Sequence, residues 1–158
     1  MTALKFSAGI QVAPGGPAMS LATAIEIEAY TKIEFVLTDT APANTKTLNL
    51  GVLGDTLKVV VIKSDLNDFD VDYKPALTYT AGKGFSLDAP HIYLGAGFVQ
   101  SLAGAGIDFT NVTFTFTPLT SAQIKKAQDE KKTVKDVKSA KVEILVGGPT
   151  VEPAKPPQ

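Results

Sequence analysis

From residue 3 the chain alternates. Leu4, Phe6, Ala8, Ile10 and Val12 fall on one parity and Lys5, Ser7, Gly9 and Gln11 on the other, the period of a strand with one covered face. The turn-rich "APGGPAMS" at 13–20 interrupts it. A clearer alternation follows in "IEIEAYTKIEFVL", where Ile25, Ile27, Ala29, Ile33, Phe35 and Leu37 oppose Glu26, Glu28, Lys32 and Glu34. Its 13 residues would reach ~43 Å at ~3.3 Å each, so it is one long strand or two joined through a bend.

The same period returns downstream. "TLKVVVIK" (56–63) is apolar on both parities, as in a strand covered on both sides. In "FTNVTFTFTP", Val112, Phe114 and Phe116 oppose Thr113, Thr115 and Thr117, and in "AKVEILVGG" Val142, Ile144 and Val146 point inward. Short strands broken by Gly, Pro, Asn and Asp predict an antiparallel β-sandwich or barrel, jelly-roll-like in its connections. One helix interrupts the pattern: Thr120 and Gln123 form a capping-box pair ahead of "AQIKKAQDEKK", predicting a helix over ~121–132 with Ile124 and Ala127 as its apolar face. Residues 1–148 read as one domain and the proline-rich 149–158 as a C-terminal tail or arm.

Composition then removes chemistry. All 15 basic residues are lysine, so the bidentate arginine that reads guanine or clamps phosphate is missing, and sequence-specific nucleic-acid binding is not expected. There is no cysteine and a single histidine, which leaves no thiol nucleophile, disulfide framework or multi-histidine metal centre. No cofactor is implied. The start of the chain lacks the apolar core of a secretory signal and no stretch is long enough to span a membrane, so the expectation is cytoplasmic synthesis.

Four acidic residues in "SDLNDFDVDYKP" raise the question of calcium. An EF-hand register fails from Asp68, where position 6 is Tyr73, and from Asp65, where position 5 is Phe69. A strand reading places Phe69, Val71 and Tyr73 inward and Asp68, Asp70 and Asp72 on the solvent side. Asp65, Asp68, Asp70 and Asp72 remain the residues of a loose calcium site under an alternative, metal- or sugar-binding function. Tyr79 and Tyr93 flank the glycine-rich stretch and are the candidates for stacking on a ligand. "GAG" at 95–97 and 104–106 lacks the third glycine of a dinucleotide fingerprint and predicts tight turns or close backbone approach.

Residues 121–141 carry seven lysines against Asp129, Glu130 and Asp136, a local +4, while the rest of the chain sums to −5. Lys125, Lys126, Lys131, Lys132, Lys135 and Lys138 are therefore candidates for docking on the acidic face of another copy. No catalytic constellation is present. Long amphipathic strands, glycine-rich turns and segregated charge predict a non-enzymatic structural subunit that self-assembles into a ring, tube or shell, of the phage-particle or injection-tube type. Its partners would be copies of itself or other particle subunits. A β-pore former is a second alternative, from the alternation in "NVTFTFT".

Overall fold

The computed structural model describes residues 2–11, 18–50, 57–67 and 71–148. Strands β1 (Thr2–Gln11) and β2 (Ala18–Ile27) form an antiparallel hairpin in unbroken register from the pair Thr2–Ile27 to the pair Gln11–Ala18. The long alternation divides at Glu28, whose N–H donates to the Gly148 carbonyl at 3.0 Å, and resumes as β3 (Ala29–Thr38). The bend is thus the one the pattern allowed. β2 starts earlier than Ile25, because Met19 and Leu21 already occupy the parity of Ile25 and Ile27.

Seven further strands follow: β4 (Thr45–Asn49), β5 (Val59–Ser64), β6 (Ala76–Ala81), β7 (Lys83–Ser86), β8 (His91–Leu94), β9 (Asn111–Thr117) and β10 (Ser139–Gly148). They sort into two four-stranded antiparallel sheets, ordered β3-β10-β5-β8 and β4-β9-β6-β7. The chain crosses between the sheets at every connection except the β6–β7 hairpin. This interleaving is the double Greek key of a jelly roll. Neither sheet closes on itself, so the barrel form of the expectation gives way to a sandwich.

Period-2 burial explains the assembly. β9 buries Val112, Phe114 and Phe116 and exposes Asn111 and Thr117 at its ends, β6 buries Leu77, Tyr79 and Ala81, and β10 buries Val142, Ile144 and Val146. These side chains, with Leu37 of β3 and Val60 and Ile62 of β5, form one core. Phe114 meets Phe35 across the sandwich, ring centres 5.3 Å apart and edge to face. β5 lies between β10 and β8, and its Val59, on the outer face, is buried as well, in keeping with its unbroken apolar run.

Helix α2 (Ser121–Asp129) begins with the expected box: Thr120 Oγ1 accepts from Gln123 N–H, and Thr120 N–H donates to Gln123 Oε1. Ala127 is its buried residue. It ends three residues before Lys132 because Lys131 turns into the left-handed region (φ 54°), where Lys131 N–H donates to Gln128 O and Lys132 N–H to Ala127 O. That is a Schellman cap with lysine at the glycine position. Helix α1 (Ala96–Gly104) was not expected from the pattern; it lies between the two "GAG" turns, where Gly95 and Gly106 take positive φ.

The aspartate stretch departs from its strand reading. Asp65 and Leu66 form a turn and Tyr73 makes a single parallel bridge to Val134, so the described part is turn and bend. Asp68 and Asp70, and the C-terminal tail, lie outside the described residues.

Three substitutions test the backbone argument. Gly82 has φ +73° and a Cβ there would collide with the Gly106 carbonyl oxygen, whereas Gly84 faces open space. Gly82→Ala is expected to destabilise by about 2 kcal/mol or more and Gly84→Ala to be near neutral in urea denaturation. Lys131→Gly relieves the left-handed strain and is expected to stabilise by about 1 kcal/mol in the same assay.

Candidate functional site

The residues singled out for calcium and for docking meet each other inside one chain. Asp65 closes a two-way clasp with the start of β10: its N–H donates to Lys141 O at 3.2 Å and its Oδ1 accepts Lys141 N–H at 2.9 Å. Lys135 Nζ reaches the Asp65 carbonyl at 3.3 Å. Asp72 Oδ2 accepts both the N–H (3.0 Å) and the hydroxyl (2.8 Å) of Thr133, and Asp72 N–H donates back to Thr133 Oγ1. These bonds to Thr133, with Lys132 Nζ 3.7 Å away, hold the Asp72 carboxyl below its usual range. Asp65 and Asp72 are therefore fasteners between the 64–74 segment and residues 130–141. Among the described residues no three histidine, cysteine or acidic side chains converge on a point that could hold a metal.

The lysines follow suit. Lys126 lies 3.8 Å from Glu130 one helical turn on, and Lys138 3.1 Å from Asp136. Lys125 and Lys131 are exposed on and just after α2. Lys132 thus pairs with a carboxylate outside the segment, Asp72, whereas Glu130 and Asp136 belong to the segment itself. A separate ladder crosses the outer face of the first sheet. Glu143 accepts from Lys141 and Lys63, both at 3.0 Å, and is drawn down to about 2, Lys141 being the larger cause; Glu34 pairs with Lys141 and Lys32. The pairing of Lys32 with Glu34 was legible from their shared parity on one strand.

Tyr79 is corrected. It is wholly buried, stacked on Phe85 at 5.0 Å between ring centres, so it offers no platform to a ligand. Its hydroxyl sits 2.7 Å from His91 Nδ1 and 2.9 Å from the Tyr93 hydroxyl. Burial first, and the Tyr93 bond second, push its pKa far up, so it stays protonated and bridges the two. Tyr93 is half-buried and stacked on the exposed Phe98. His91 packs edge-on to Tyr79, Phe85 and Tyr93.

The feature that sequence reasoning missed is the hairpin. Opposed residues of an antiparallel pair share a face, so Leu4 with Ile25, Phe6 with Thr23 and Ala8 with Leu21 line one side. Lys5 with Ala24, Ser7 with Ala22 and Gly9 with Ser20 line the other. Met19 and Leu21 are 64% and 54% exposed. The hairpin is held at its root: Ile27 is buried over Gly147, and Lys58 Nζ donates to Glu26 O at 3.0 Å. Among the described residues neither strand has a second neighbour. The signal was present in the shared parity of Met19, Leu21 and Ile25, hidden by the small residues between them.

Among the described residues no helix is long and apolar enough to cross a membrane. Comparison with protein-family models, with characterised proteins and with solved structures returns no match to this chain.

His91 supplies a pH test. Burial lowers its pKa from the ordinary 6.5, only partly countered by Asp88. The unfolded chain therefore takes up the proton first, and stability present above ~6.5 is lost as pH falls below it. The carboxylates held low by their partners, Asp72, Asp108, Glu34 and Glu143, lose their contribution only below ~4. The melting temperature is expected to drop between about pH 7 and 5, and His91→Gln to flatten that slope.

Proposed function

We propose that this chain is a non-enzymatic structural subunit whose copies associate into a ring or a larger particle, and that the β1–β2 hairpin is the associating element. The observation that supports this reading is the apolar hairpin face, with Met19 and Leu21 largely in water, beside a sandwich whose two inner faces are closed on one core. A lone two-stranded hairpin is marginal in water, and contiguous apolar surface of this kind marks an interaction site. Nature usually blunts such edges with proline or several charges; β1 carries only Lys5 and β2 only Glu26.

The "NVTFTFT" strand gives no support to the pore reading, since Phe114 and Phe116 sit in the core. The calcium reading loses Asp65 and Asp72 to hydrogen bonds within the chain.

The double variant Met19→Glu with Leu21→Glu tests the assignment without touching the sandwich. The parent chain is expected to run as an oligomer by light scattering and mass photometry, and the variant as a monomer with an unchanged melting temperature. A parent that is monomeric at high concentration would remove the proposal.

A further inference from the structure

Resting on that reading, we propose that the hairpins of neighbouring copies pair edge to edge, β2 of one against β1 of the next, closing a small shared antiparallel barrel with the apolar face inside. The occupant of the face is a second copy of this chain and its successors around a ring.

Strand polarity comes first. In one hairpin β1 and β2 run antiparallel, so copies related by rotation about an axis along the strands bring β2 beside a β1 of opposite direction. Every new contact then repeats the pairing already present within the chain. Both free edges are ten residues long, so the stagger that barrel closure requires leaves only about two residues unpaired at each end. About half the residues of each strand aim N–H and C=O outward, so each contact gains about eight main-chain hydrogen bonds.

Charge agrees with this arrangement. Lys5 and Glu26 are the single charges of their strands and lie on the same, non-apolar face. A stagger of about two residues between copies, of the kind barrel closure requires, sets Lys5 of one copy directly opposite Glu26 of the next in one of its two directions. Each contact therefore brings together opposite signs.

Area rules out the simpler alternative of two hairpins stacked face to face. A face ~34 Å long and ~10 Å wide presents about 340 Å², well short of the ~800 Å² per partner of a stable interface. Stacking also leaves all four edges open. A closed barrel removes the edges, and at about eight strands its interior is just filled by side chains. Leu4, Phe6, Leu21 and Ile25 supply that filling, and eight strands correspond to about four copies. The small and hydroxyl-bearing residues Ser7, Ser20, Ala22 and Ala24 would then face water.

The cysteine-free chain allows a direct test. Chains bearing Ser7→Cys are co-expressed with chains bearing Ser20→Cys, Ala22→Cys or Ala24→Cys and oxidised, alongside mass photometry of the parent. The proposal expects a disulfide between the β1 cysteine and at least one β2 cysteine, and a parent mass of about four chains. Oligomers that cross-link only like with like, Ser7→Cys to Ser7→Cys, would overturn the barrel while leaving self-assembly standing. A monomer at every concentration would overturn both. Disulfides that appear only on phosphatidylcholine vesicles, with leakage of an entrapped dye, would make a bilayer the occupant, apolar face outward, and overturn the proposal.

Discussion

Phe114 marks the constraint on which the rest of the structure depends: two four-stranded sheets, each apolar on one face, must cover one another. Its ring touches Phe35 from the facing sheet and Tyr79 from its own neighbour strand. Once these faces are joined, the alternate residues of β9, β6 and β10 have no choice of side, since a one-residue slip would carry every core side chain into water. The position of β10 follows, because it must pair with β3 on one edge and β5 on the other.

What the sequence revealed was what a two-residue period can encode. β9 and β10 were read within a residue or two of their ends, and the capping box fixed the start of α2. The end of α2 was not legible, since a left-handed lysine in place of glycine gives no compositional sign. Helix α1 escaped because "AGFVQSLAG" is dominated by small and apolar residues with no charged face to reveal a helical period. The candidate site was less legible still. A hairpin is a relation between two segments, and its second strand, "AMSLATAIEI", alternates apolar residues with alanine and serine rather than with charge.

The charges teach a related lesson. Counted along the chain, residues 121–141 and the aspartate stretch look like two poles awaiting partners. In the fold they are one seam: Asp65 on Lys141, Asp72 on Thr133, with Tyr73 bridging Val134 and donating its hydroxyl to Glu130. A one-dimensional charge count cannot see a contact between positions separated by some sixty residues, and here that contact joins the two segments within one chain. Large apolar side chains face outward at Met19 and Leu21 on the hairpin and at Tyr30, Val36, Ile92 and Phe98 on the rest of the described molecule.

The root of the hairpin also imposes an order in time. Its anchors, Lys58, Gly147 and Gly148, come later in the chain than the strands they hold, the last two at the end of β10. During synthesis the hairpin segment leaves the ribosome long before Gly147. Until β10 is inserted between β3 and β5, the hairpin lacks its anchors at Gly147 and Gly148. A nascent or half-folded chain therefore carries the hairpin without a fixed orientation, and the completed sandwich holds it in one place. Completion of the fold is thus what fixes where the hairpin lies.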